Sequence, residues 1–224
     1  MNRNSIYERC LSEYEWRHEE LSILFEIAKK ADCNEIGVAL KSLIPMVYAH
    51  WEGFVCFCLN ALVAELKKIK IRISECNTHY LFLAARKYVY QIKDCADIEK
   101  IKKYTQMFSD LSFRDYVFEV LEKEHIKTIV TSNIGSEVLE KIGKLFCFSD
   151  DFFDANTFSR LDELLKIRNH IAHGENSYSF DSLTDVEKYF SLFENLSLDF
   201  IQEIDKILLE EKFRKGYDDE KESI

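Results

Sequence analysis

The sequence predicts an all-α fold, a bundle of about six to seven helices, on three observations. Six Gly and one Pro in 224 residues are too few for a sandwich or barrel, which turns about every 8–12 residues. Apolar side chains recur at three-to-four spacing over most of the chain. The composition, 47% hydrophobic, 13% aromatic and 31% charged, is that of a globular chain able to bury a sizeable core. Residues 1–224 read as a single domain, with a core over about 5–212 and a charged, frayed tail over 213–224.

The first helix is expected over residues 5–30, where Tyr7, Leu11, Tyr14, Leu21, Leu24, Phe25 and Ala28 are spaced as one face. Asp32 to Glu35 break it. A second helix runs over about 35–68, kinked or restarted at Pro45, and is nearly all apolar, hence the most buried element. The run from Leu43 to Leu66 is long enough to tempt a membrane reading. It carries His50, Glu52, Asn60 and Glu65, however, and an ionised carboxylate at mid-membrane costs about 2.5–3.5 kcal/mol. A core helix with no membrane is the expectation.

"THYLFLAARKYVYQI" (78–92) and "FRDYVFEVLEKE" (113–124) read as helices joined by a charged link around 94–112. "IKTIVTSN" (126–133) is β-branched, a short strand or an extended lead-in. Ser132 or Asn133 is expected to cap the helix "IGSEVLEKIGKLF", in which Gly135 and Gly143 would allow close packing. A polar and aromatic loop over 149–158 precedes a helix over about 157–173, ended by Gly174 in left-handed geometry. A loop over 175–182 leads to a final helix over roughly 183–212.

The net charge is −10, 40 acids against 30 bases, which excludes a general nucleic-acid coat and leaves room only for a local cationic pocket. Seven Cys without a CxxC pair fit neither a zinc finger nor a disulfide framework. Reduced, buried thiols and a polar N-terminus unlike a signal peptide point to a cytoplasmic protein. No phosphate-binding glycine loop or GxSxG elbow is present, and no cofactor is implied.

The chemistry concentrates in Arg168-Asn169-His170-Ile171-Ala172-His173-Gly174. Cations at a helix C-terminus interact favourably with the macrodipole, which alone would account for them. A histidine can instead move a proton near neutral pH, and an arginine can fork onto a phosphate. Arg168 and His173 are about 140° apart on an ideal helix, so a shared crevice needs a second subunit.

Arg168-x4-His173 matches the R-x4-H signature of HEPN domains, helical bundles found in many prokaryotic ribonucleases. "RNHIAHGE" (168–175), "YAHWEGFV" (48–55) and "SNIGSEVLEKI" (132–142) together resemble a bacterial stand-alone HEPN family, over most of the chain from about residue 40 onward. The resemblance implies a homodimer that cleaves RNA, tRNA among the candidates, without a metal. Arg168 would grip phosphate, His173 would transfer protons, and Asn169 would orient substrate or histidine. It also implies a toxin or antiphage effector held in check by an antitoxin or a neighbouring defence protein. Some HEPN toxins carry a tyrosine two residues after the histidine, which a nucleotidyltransferase antitoxin modifies. Glu175 stands there, with Tyr178 the nearest tyrosine, so the resemblance does not extend to that regulation.

Around this signature, His170, His50, Glu52, Tyr48 and Tyr178 are candidates for supporting or substrate contacts. Tyr48, His50, Trp51 and Glu52 could equally be a satisfied core network. Phe152, Phe153, Phe158 and Tyr178 are candidates for stacking on a base. Glu15-x-x-His18 and Glu122-x-x-His125 have the spacing of bundle metal ligands but lie in surface-like contexts, so no metal is expected. His170 and His173 lack an evident third ligand. The competing reading from another class is a non-catalytic HEPN-type subunit of a defence complex.

Overall fold

A computed structural model of the chain describes residues 4–32, 35–93, 96–109, 133–152, 154–176 and 178–217. Among these residues it is all-α, with seven α-helices: α1 (Asn4–Lys29), α2 (Ile36–Ile69), α3 (Thr78–Lys93), α4 (Ile98–Ser109), α5 (Ser136–Phe146), α6 (Ala155–Ala172) and α7 (Thr184–Leu209). The helix expected over 113–124 and the extended piece expected over 126–132 lie outside the described residues.

Helix α2 is the axle of the bundle, with α1, α6 and α7 packed round it and α3 against α5. It runs through Pro45 as one helix, without the restart the sequence suggested. The missing N–H removes one hydrogen bond, and burial of Leu43, Ile44, Val47 and Tyr48 around it holds the helix together. By length and composition α2 could span a membrane, but 61% of its most apolar window is buried inside the bundle. Its apolarity is therefore accounted for by the core.

The core carries an aromatic cluster. The ring of Phe200 on α7 lies 5.2 Å from Phe148, 6.2 Å from Trp51 and 6.3 Å from Phe54, each edge to face. Phe152 joins it at 5.1 Å from Phe148. Phe152 and Phe158, considered above for base stacking, are therefore core residues, 8% and 7% exposed, and Phe153 lies outside the described residues.

Helix ends are set by named groups. Asp154 caps α6 by accepting from Thr157 N–H at 2.7 Å, a contact worth about 1 kcal/mol. At the other end Gly174 has φ 74°. Its N–H donates to Ile171 C=O and that of Glu175 to His170 C=O, both at 3.0 Å, the paired closure a left-handed glycine allows. Asp97 opens α4 by accepting from Glu99 and Lys100 N–H at 3.0 and 3.2 Å, inside the stretch the sequence left as a charged link.

Helix α5 departs from expectation. It begins at Ser136, not Ile134, with Gly135 rather than Asn133 at its N-cap; Ser132 lies outside the described residues. Asp162 of α6 caps it from across the bundle, accepting from Ser136 N–H at 2.8 Å and Ser136 Oγ at 2.6 Å. Gly135 makes this approach possible, since a Cβ there would stand 2.7 Å from Asp162 Oδ1 and 2.9 Å from Leu165 Cδ2.

The expected tail begins later than residue 213. Phe213 is 1% exposed, Arg214 bridges Cys76, and Lys215 N–H donates to Glu75 C=O at 2.8 Å. Lys212, also 1% exposed, lies 3.7 Å from buried Glu203 and donates to Ser149 Oγ at 3.1 Å. This buried ion pair closes the end of the bundle, so Lys212 and Phe213 belong to the core, and Arg214 and Lys215 tie the chain beyond them to the 75–76 segment. Residues 218–224 lie outside the described residues.

Candidate functional site

Helix α6 presents two different faces at its C-terminal end. Arg168 turns inward towards α2, and His173 stands at the exposed end of the helix. Arg168 packs on Tyr48 and Glu52 of α2, whereas His173 lines the open pocket on α6, to which Arg168 does not contribute, in keeping with the divergence of about 140° on an ideal helix.

The guanidinium of Arg168 lies 4.5 Å over the ring of Tyr48, a cation–π contact that keeps its plane fixed. Nη1 donates to Asn169 Oδ1 at 2.8 Å and to Asn133 Oδ1 at 3.3 Å. Nη2 is 3.7 Å from Glu52 Oε2, with the two side chains 27% and 29% exposed. Such half-exposed charges are screened, and the pair positions the arginine more than it stabilises the fold.

Tyr48 and Trp51 pin the segment beneath. Ile134 N–H donates to Tyr48 Oη at 2.6 Å, and Trp51 Nε1–H donates to Ile134 C=O at 3.4 Å. The Glu52 carboxylate lies near enough to Tyr48 Oη for each to shift the other's pKa. Burial, with the neighbouring carboxylate, pushes the Tyr48 phenol up to about 12, so it remains a donor. Burial also raises the Glu52 carboxyl, against the pull of Arg168 and the Tyr48 hydroxyl. The segments 48–55, 132–142 and 168–175 thus meet around one guanidinium through Tyr48, Glu52, Asn133, Arg168 and Asn169.

His50, a candidate for this site by sequence, faces the other way. It is 5% exposed, with Nε2 3.5 Å from Glu20 on α1 and its ring against Trp16 at 5.7 Å. Its carbonyl accepts from Arg17 Nη1 at 3.4 Å. Arg17 fits there because Gly53 is bare: a Cβ would meet Nη1 at 2.8 Å. Burial, then Arg17, lowers the His50 imidazole pKa, with Glu20 opposing. His50 is a core residue of the α1–α2 interface.

The exposed face of α6 forms an open pocket of about 410 Å³ lined by Asp162, Leu165, Lys166, Asn169, His170, His173 and Glu175. Asn169 is the residue common to the pocket and to Arg168. His170 Nδ1 pairs with Glu175 Oε2, and its ring lies 5.4 Å from Tyr178. Glu175 is fixed further by its backbone, whose carbonyl accepts from Lys41 Nζ at 3.2 Å. Asn133, Asp162 and Lys166 went unrecognised in the sequence as site neighbours. For Asp162 and Lys166 the signal was there, since they sit on the helical stripe of Asn169 and His173.

Among the described residues no three His, Cys, Asp or Glu side chains cluster as a metal site. His18, of the first ExxH pair, bonds Glu194 across the bundle at 2.7 Å. Glu122 and His125 lie outside the described residues, as do Cys33 and Cys95. Cys10, Cys58, Cys76 and Cys147 are buried and Cys56 partly so.

A family model described as HEPN_MAE_28990-like HEPN matches residues 7–213. No curated protein and no solved structure matches.

Proposed function

The chain belongs to the HEPN_MAE_28990-like HEPN family, and on that premise we propose that it is a metal-independent endoribonuclease serving as a toxin or antiphage effector. The observation that carries the reading is the convergence on Arg168 of three separate segments, through Tyr48 and Glu52, Asn133 and Asn169. An arginine needed only to complement a helix dipole has no call for a ring beneath it and two amides beside it.

In this reading the RNA 2′-oxygen bonds to the adjacent phosphorus as the P–O5′ bond breaks, leaving a 2′,3′-cyclic phosphate and a 5′-hydroxyl. Arg168 stabilises the charge that grows on the phosphoryl oxygens. His173 relays a proton, from the 2′-hydroxyl or to the 5′-oxygen. Asn169, hydrogen-bonded to Arg168 and lining the pocket of His173, links the two. A homodimer brings the arginine of one chain to the histidine of the other, which the divergence within a single chain calls for.

The same divergence, with Arg168 occupied by internal partners, supports a second reading: a non-catalytic subunit of a defence complex. Incubation of total RNA and purified tRNA in EDTA, comparing wild type with His173→Ala, separates the two. Cutting by the wild type alone, with cyclic-phosphate ends, supports the ribonuclease. Absence of cutting by a dimeric wild type favours the subunit. Equal cutting by both proteins removes His173 from the chemistry.

A further inference from the structure

The pocket on α6 contains a cation that the R-x4-H signature does not include. Asp162, Lys166, Asn169 and His173 recur at three- and four-residue intervals, with His170 beside Asn169 and four residues after Lys166, and, at about 100° per residue, they form one stripe from which Arg168 is excluded. Its volume of about 410 Å³ is in the range of ligand pockets, roughly 300–1,000 Å³.

The charges on this stripe are not equivalent. Asp162 is engaged by the N–H and hydroxyl of Ser136. Glu175, at the rim, is paired with His170. Lys166 is exposed, and no carboxylate among the described residues is paired with it. With Arg168 turned to α2, the pocket beside His173 offers an incoming anion Lys166 first.

We propose that Lys166 binds a backbone phosphate of single-stranded RNA next to the scissile one, and so sets the strand against His173. The inference rests on the ribonuclease reading and deepens it: Arg168 serves the reacting phosphate, and Lys166 serves its neighbour. An ammonium on a flexible stem suits this task, since it needs charge and reach rather than forked geometry. A flanking phosphate is bound alike before and during the reaction, so the contact acts on binding and leaves the chemical step alone.

The test uses the full chain and a fluorescent single-stranded RNA, with Lys166→Gln, Lys166→Arg and, as a control of equal charge on α5, Lys144→Gln. Lys166→Gln should raise Kd and KM about tenfold with kcat within about twofold. Its plot of log Kd against log salt should be shallower by about 0.7, one phosphate contact on a single strand. Lys166→Arg should restore all three, and Lys144→Gln should match wild type. If the wild type cuts and Lys166→Gln equals it in KM and salt slope, the assignment is overturned while the ribonuclease stands. If the wild type neither cuts nor binds RNA, both fall. If it binds without cutting, the salt slope alone decides.

Discussion

Arg168 holds its guanidinium 4.5 Å above the ring of Tyr48, and the hydroxyl of that ring accepts the N–H of Ile134 at 2.6 Å. One side chain therefore supports the signature arginine with its face and anchors the start of the α5 segment with its edge. Asn133, next to the anchored residue, then reaches Arg168 at 3.3 Å. The arginine's position is thus set by the core of the bundle, not by its own helix alone.

Replacing Tyr48 should separate these two duties. Tyr48→Phe keeps the ring under Arg168 but leaves the buried N–H of Ile134 unpaired, a loss of about 1–3 kcal/mol. Tyr48→Ala also opens a cavity and should cost about 3–5 kcal/mol. Urea denaturation of both variants measures this. Equal losses would show that the ring contributes nothing beyond its hydroxyl, and an unchanged Tyr48→Phe would show that the hydroxyl contributes nothing.

Glu52 should restrain RNA binding. Its carboxylate is 3.7 Å from Arg168 Nη2, where it repels a phosphate approaching the same guanidinium. Glu52→Gln should therefore tighten RNA binding several-fold at pH 7, about 1 kcal/mol or less for a half-exposed charge. The pKa of Glu52 is raised, with burial the main cause, so its folded state holds the proton more strongly than its unfolded state. Acidification through that raised pKa adds stability and removes the repelling charge. As pH falls through that raised pKa, wild-type binding should converge on that of Glu52→Gln, as fluorescence anisotropy across pH would show. A constant gap between the two would rule out titration of Glu52.

Much of the bundle was legible because burial follows period. The apolar faces of α1, α2 and α7 recur every three to four residues, and Gly174 marks the end of α6 in the sequence itself, whereas its start at Ala155, capped by Asp154, falls inside the stretch that reads as a loop. What escaped depends on partners far along the chain. The cap of α5 comes from Asp162, 26 residues away, which local capping rules cannot anticipate. Phe213 reads as the start of a charged tail until the fold places Tyr80 of α3 beside it, next to the buried pair of Lys212 and Glu203. At the site, the separation of Arg168 from His173 followed from helix geometry, whereas the choice between His50 and Glu52 did not. Both lie on α2, and only the packing of α1 against one side and α6 against the other sends His50 to Glu20 and Glu52 to Arg168.

The contact of Gly135 with Asp162 predicts non-additive substitutions. Gly135→Ala places a Cβ 2.7 Å from Asp162 Oδ1, and should cost about 1–3 kcal/mol as a packing clash. Asp162→Ala removes the cap of α5, about 1 kcal/mol. In the double variant the clash with the carboxylate is gone, so its loss should be smaller than the sum of the single losses by at least about 0.5 kcal/mol. A thermodynamic cycle from denaturant midpoints measures the coupling. Simple additivity would mean that Leu165 Cδ2, at 2.9 Å, is the sole obstacle.

His50 should make the fold sensitive to mild acid. Its Nδ1 has no hydrogen-bond partner among the described residues, and Arg17, Glu20 and the Trp16 ring face it from α1. Burial and Arg17 lower its pKa below the ordinary 6.5, with Glu20 opposing. The unfolded chain therefore binds this proton at a higher pH than the folded one. Between the two pKa values unfolding takes up a proton, so stability rises with pH and is lost as pH falls below 6.5. The slope from one such group cannot exceed about 1.4 kcal/mol per pH unit. His50→Leu should abolish that slope, so relative to wild type it should be more stable at pH 5.5 than at pH 7.5. Urea midpoints at the two pH values decide the matter, because parallel stability curves for the two proteins would mean that His50 keeps an ordinary pKa in the folded state.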